Sequence, residues 1–514
     1  MTWVMLATAI SKMGAFLPFF YIPRFMAPSE YGLASMAASV AALVTWIRDG
    51  GVRDLMIQRG ESEYRELGSA SFWLATAVNG AGFLVLLALA LFIPLAAEGN
   101  AGVFSKAFAY LGGGNDQPHE QWTNPTLVSL LIAWGVWLPV QTVSSLQIAR
   151  LQMLLRFGQA SVLFTASSLL RSVLTVVLAY LGWGPIALVI PMIVSSVLEG
   201  VWAYVLLRDP IWMGWPAIGK WSGILASTKW LMLGVLAMNA FDWAGVLASS
   251  FKVDSEVLGR YTFARNIPMQ IYIVLSFNLR LVMFPAMSKL KDDPDRLREA
   301  TIKSMRVQMS LAGPLCVGLA LICEPLIMAM WPKNPVWHQA AVAAGILSVF
   351  FAFRTTFGLT TSVLVAAGRF KSWALLTLAE GVGLGAAAWV GASMNGLARH
   401  IAGAVGLYLM VSRLGMIAYT ARVVGLPASR ALMAVLPPWG WSVIVAAASL
   451  FLCGPATQRL GPVGDIVVLS LTFTVLFIYG MRLLMPVRLD EFLMILPARL
   501  KSPFRRLLRM PGAN

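Results

Sequence analysis

The 514-residue chain has little of what catalysis or metal binding draws on. It carries three cysteines, Cys316, Cys323 and Cys453, and three histidines, His119, His338 and His400. Their spacing fits neither a disulfide framework nor a zinc knuckle, and there is no HExxH pattern. The cysteines lie in or beside apolar segments and read as small buried hydrophobes. No metal and no cofactor is expected. Charged residues make up only 12% of the chain, and acid is scarcer still, with 23 Asp and Glu against 39 Lys and Arg. The longest outward loop, about 98–124, holds the polar, Gly-rich run LGGGNDQPHEQWTNP and is too short for a soluble catalytic domain. Asp292-Asp293-Pro294-Asp295 looks superficially like a sugar-nucleotide metal motif. It stands in a short turn before a helix, where acidic residues favour the amino end. The expectation is therefore not an enzyme. Nor is a cleavable leader expected, because apolar sequence starts at Trp3 and runs on as a span.

What is present is hydrophobic sequence, 58% of the chain, with a mean hydropathy of +0.75. Apolar runs of 18 residues or more recur along most of the length, which predicts an all-α polytopic membrane protein. The runs are too long and continuous for a transmembrane barrel. Fourteen spans are predicted, near 3–25, 31–54, 69–97, 125–148, 157–181, 185–207, 221–250, 257–285, 304–331, 338–367, 372–394, 399–423, 432–453 and 464–485. Of the Lys and Arg in the loops between them, eighteen fall on one set and seven on the other. That asymmetry predicts that both termini are cytoplasmic, with the basic, amphipathic tail 487–514 lying on anionic headgroups. The same rule absorbs much of the net charge of +16, so no nucleic-acid partner is expected. Trp122, Trp183, Trp212 and Trp331 stand at span ends, as an interfacial belt does.

The stretch Val253–Arg306 organises the rest. Its span carries Arg265 and Arg280, 15 residues apart and so on a roughly shared helical face. Charges inside a membrane face a protein interior or a wet cavity, so that face can line a cationic passage. The chain also repeats itself. Ser29-Glu30-Tyr31-Gly32 and Glu256-Val257-Leu258-Gly259 open the second and eighth spans, and an offset of 227 also carries Arg53 onto Arg280. Arg156-Phe157 and Arg369-Phe370 each open a span at an offset of 213. The repeat predicts two six-helix lobes, 1–208 and 209–425, then two further helices in 426–486.

Six arginines, Arg24, Arg48, Arg53, Arg265, Arg280 and Arg354, are candidates for binding a diphosphate, which their planar forks suit. The alternative for Arg24, Arg48 and Arg53 is interfacial anchoring. Arg171 with Glu199, and Glu380 with Arg413, read as two intramembrane ion pairs of exchanged sign. They serve either to hold helices together or to couple an ion gradient. Asp242 is either Arg265's partner or a titrating group, and Lys12 can line the cavity.

The residues also carry a likeness. Arg24 to Gly32, Asp49-Gly50-Gly51 through Ile57-Gln58-Arg59, Leu181 to Val189, and Phe284-Pro285-Ala286-Met287-Ser288-Lys289-Leu290 resemble bacterial Wzx-type oligosaccharide flippases. These belong to the multidrug/oligosaccharidyl-lipid/polysaccharide exporter superfamily. The resemblance is diffuse, covers about residues 10–420, and departs from the family at Arg48-Asp49-Gly50-Gly51. It implies two six-helix bundles in a V with two added helices, in the bacterial inner membrane. It implies an oligosaccharide repeat unit on a polyprenyl pyrophosphate as substrate, and polysaccharide polymerase machinery and membrane lipids as partners. The rivals are a drug exporter or a peptidoglycan-precursor flippase of the same superfamily and, remotely, a membrane polymerase or ligase.

Overall fold

In the computed structural model, residues 14, 17–45, 52–97, 120–277, 283, 287–290, 293–332 and 334–484 are described. Thirteen longer helices order the described chain: α1 Pro28–Thr45, α2 Val52–Ala97, α3 Pro125–Met153, α4 Phe157–Tyr180, α5 Ile190–Leu207, α6 Trp221–Ser250 and α7 Ser255–Tyr272, then α8 Pro294–Met330, α9 Ala340–Arg354, α10 Phe357–Ala366, α11 Phe370–Ser393, α12 Ala398–Val423 and α13 Ala428–Leu484. There is no strand among the described residues. Among the described residues eleven stretches are long and apolar enough to span a membrane, so this is a multi-pass membrane protein. They coincide one for one with eleven of the fourteen predicted spans. The other three, 3–25, 31–54 and 257–285, fall partly or largely outside the described residues. The basic tail 487–514 lies wholly outside them.

Helix starts follow local chemistry. Asn124 caps α3, its Oδ1 accepting from Thr126 N–H at 2.9 Å, with Pro125 as the first helical residue. Asp293 caps α8 in the same way, accepting from Arg296 N–H at 3.1 Å, and Pro294 follows it. The acidic run before α8 is thus partly accounted for as a helix start.

By packing, the chain forms two compact units, 1–259 with 377–396, and 260–376 with 397–514. These bounds reflect contact, whereas the lobes 1–208 and 209–425 come from the sequence repeat. In the first unit α3 packs along α2 and α5. The segment 208–220 is fastened to the first half of α2 and the end of α3. Arg150 Nη1 meets Asp209 Oδ2 at 2.6 Å, and Tyr64 donates its hydroxyl to the same oxygen at 3.0 Å. The Arg150 guanidinium lies over the Tyr64 ring, 4.4 Å from its centre. Burial pushes the Tyr64 hydroxyl above the usual phenol range, so it stays a donor at any physiological pH. Ser69 Oγ and Trp73 Nε1 donate to the carbonyls of Ile211 and Gly214, and Ile211 is buried with Met56, Phe72 and Leu146. In the second unit α8 lies along α13, around Val317, Val445, Phe473 and Phe477. A break at Gly461 (φ 71°) divides α13 into two arms.

Asp209→Ala leaves Arg150 and Tyr64 partly buried with no acceptor, a loss of about 1–3 kcal/mol. The expected result is a lower melting temperature in detergent, with a smaller fall for Tyr64→Phe. Unchanged melting in both would show that the network does not hold the segment.

Candidate functional site

The second unit concentrates buried polarity where two membrane helices lose their regular form. After Pro268, α7 gives way to a π turn over Ile273–Phe277. The span Ala340–Ala366 is the most buried of the eleven, yet it breaks at Thr355-Thr356 between α9 and α10. A broken helix frees backbone groups that hydrocarbon cannot satisfy, so protein groups must do so. Here the Thr355 carbonyl accepts from Ser276 Oγ, out of the π turn, and from Gln308 Nε2 of α8. The turn and the break therefore hold each other. Gly358 lets the Ser276 carbonyl approach, since a Cβ there would stand 2.5 Å from that oxygen.

Three arginines are buried in the same unit. Arg354, the last residue of α9, is buried, with its guanidinium 5.0 Å from the Tyr272 ring centre and 5.5 Å from that of Phe351. Arg265 on α7 is also buried, and both guanidiniums act electrostatically on the buried Tyr261 hydroxyl. Arg413 on α12 is fully buried, 5.3 Å from the centre of the Phe357 ring at the start of α10. Aromatic faces offset part of the cost of burying such cations, and Arg suits them better than Lys.

The remaining predicted residues are distributed as follows. In the first unit Arg24 is exposed, 5.8 Å from the Tyr21 ring centre, as an interfacial anchor would be. Arg53 is half-buried, and it and Arg171 both lie within electrostatic reach of the Glu199 carboxylate. Asp242 is half-buried on α6, and Glu380 is buried on α11. Arg48, Arg280 and Lys12 lie outside the described residues. No group of three or more potential metal ligands occurs among the described residues. Sequence reasoning missed Tyr261, Tyr272, Ser276, Gln308 and Thr355. The Thr-Thr pair followed by Phe357-Gly358 inside an apolar span was the available signal. The second unit also has an apolar groove of about 470 Å³ between α8 and the second arm of α13, lined by Leu311, Leu315, Phe473 and Phe477 among others.

Residues 22–99 and 120–342 match the sequence profile of the polysaccharide biosynthesis protein family. The chain belongs to that family. It is 24% identical over 375 residues to the succinoglycan biosynthesis transport protein ExoT of Rhizobium meliloti, covering 66% of this chain and 65% of that protein. The match thus spans slightly less than two thirds of that relative's length. It is 21% identical over 373 residues to the lipopolysaccharide biosynthesis protein WzxC of Escherichia coli, covering 71% and 69% of the two chains. Among solved structures it resembles the lipid II flippase MurJ in an inward closed conformation, with TM-score 0.68, 12% identity, and 94% and 99% of the two chains covered. An inward-facing multidrug resistance MATE transporter of the MOP superfamily is similar at TM-score 0.54 and 14% identity, over 82% and 98%. At such identities the likeness is one of fold, and this member of the polysaccharide biosynthesis family has that fold.

Replacing both donors to the Thr355 carbonyl, as Ser276→Ala with Gln308→Leu, should lower stability by about 1–3 kcal/mol. Melting of the purified protein measures this; no change would mean that the break is held by other groups.

Proposed function

We propose that this protein is a flippase for polyprenyl-pyrophosphate-linked oligosaccharide repeat units. It moves them from the inner to the outer leaflet of the bacterial inner membrane, with both termini cytoplasmic. The observation that carries this reading is the burial of Arg265 and Arg354 around Tyr261 at a double break in the membrane helices. A diphosphate and its sugars cannot cross about 30 Å of hydrocarbon without polar company. Guanidinium groups supply paired donors that stay charged at every relevant pH. Discontinuous helices near mid-depth are where transporters place such groups. Of the other arginines the sequence singles out, Arg53 stands within electrostatic reach of Glu199, Arg24 is exposed, and Arg48 and Arg280 lie outside the described residues. The apolar groove beside α13 and the surrounding lipid suit the prenyl tail.

Alternating access between the lobes 1–208 and 209–425 moves the headgroup, driven by an ion gradient or the membrane potential. Asp242, Glu199 with Arg171, Glu380 with Arg413, and Lys12 are the groups through which coupling would act. A polysaccharide polymerase receives the product. The relatives' roles in succinoglycan transport and lipopolysaccharide biosynthesis favour a polysaccharide precursor over a drug.

In a strain lacking the gene, the lipid-linked oligosaccharide that accumulates identifies the substrate. Accumulation of a peptidoglycan precursor instead would move the assignment to that rival. Arg354→Met and Arg265→Ala should fail to restore export by tenfold or more while inserting normally, with Arg354→Lys partly active; full activity in all three would overturn the site. Glu199→Gln and Glu380→Gln should abolish gradient dependence. Export unchanged in both would remove them from coupling and leave them as helix-holding groups.

A further inference from the structure

The sequence repeat has a physical counterpart at one joint of the first unit. α1 and α7 begin alike, 227 residues apart. Tyr31 N–H donates to the Ala27 carbonyl at 3.1 Å, and Leu258 N–H to the Asp254 carbonyl at 3.0 Å. Each start carries one half of a capping box: Glu30 accepts from Ala27 N–H at 2.9 Å, and Asp254 accepts from Val257 N–H at 2.8 Å.

The two starts also touch, backbone on backbone. A Cβ at Gly32 would fall on the carbonyl oxygen of Ser255, and one at Gly259 on the carbonyl oxygen of Pro28. Each would stand 3.0 Å from the other glycine's amide nitrogen. Pro28 and Ser255 are themselves 227 residues apart, so the contact maps onto itself when the helices are exchanged. Such an isologous contact has a local two-fold axis through it. Pro28-x-x-x-Gly32 and Ser255-x-x-x-Gly259 form the paired small faces that membrane helices use for close approach.

We propose that this joint is a reversible closure that opens as one unit, and that the glycines at 32 and 259 set how much of the time it is shut. Reciprocity is the reason. A side chain added on either helix strikes the same backbone contact, so neither start can be displaced while the other keeps its partner. The joint's use as the outward closure of a transport cycle rests on the function proposed above. Its opening as a unit does not.

The test uses the full-length protein in liposomes and a membrane-impermeant maleimide, with labelling read peptide by peptide. Leu33→Cys and Leu258→Cys, made singly, place thiols at buried positions on the two helices, and native Cys316, fully buried, reports unfolding. With both glycines present the two sites should label slowly and at matching rates. Gly32→Ala or Gly259→Ala should each raise the rate at both sites by about tenfold or more, with the double variant adding little. A rise confined to the altered helix, an additive double variant, or no rise would overturn the proposal. Should the alanine variants label at Cys316 or fail to accumulate, the glycine-bearing chain decides: once each rate is divided by that of the same thiol in the denatured chain, unequal values at the two sites would overturn a single opening. Labelling from only the side opposite the termini assigns the closure to the outer face. Joint labelling in a chain that exports nothing would strike the transport reading and leave the joint standing.

Discussion

The cost of holding a permanent positive charge inside a protein that is itself surrounded by hydrocarbon governs this structure. A guanidinium cannot shed its proton to escape that cost, so each buried Arg needs compensation built around it. In the second unit part of that compensation is aromatic and local. Arg354 lies against the rings of Tyr272 and Phe351, Arg413 lies against that of Phe357, and Arg265 and Arg354 both act electrostatically on the Tyr261 hydroxyl.

The helix breaks belong to the same account. An unbroken α9–α10 helix would present only side chains at mid-depth. Breaking it at Thr355-Thr356 releases backbone carbonyls and turns the chain at the position that carries Arg354. Ser276 and Gln308 then satisfy the Thr355 carbonyl from two other helices. Polarity is thus admitted as a connected network, which a low-dielectric interior requires.

Sequence alone carried much of this. Hydropathy located the eleven apolar spans, because twenty apolar residues have few other uses. The unusual Arg residues were legible for the same reason, and Arg265 and Arg354 are both buried and both act electrostatically on Tyr261. Arg24 shows the limit of that reasoning: a charge near a span end reads alike whether it faces a cavity or the headgroup layer, and here it is exposed. Tyr261, Ser276 and Gln308 were illegible because each looks ordinary on its own helix and gains meaning only from a partner tens of residues away. The Gly32–Gly259 correspondence was visible as a weak repeat, but that its two members meet depends on tertiary geometry that no periodicity encodes.

The fastening of residues 208–220 bears on how the chain passes from α5 to α6. A segment joining two membrane helices is commonly pictured as slack. Here Asp209, Ile211 and Gly214 each bond to side chains of α2 or α3, so the join is a structural part of the first unit. Insertions there would disturb packing, and drift in its length is correspondingly constrained.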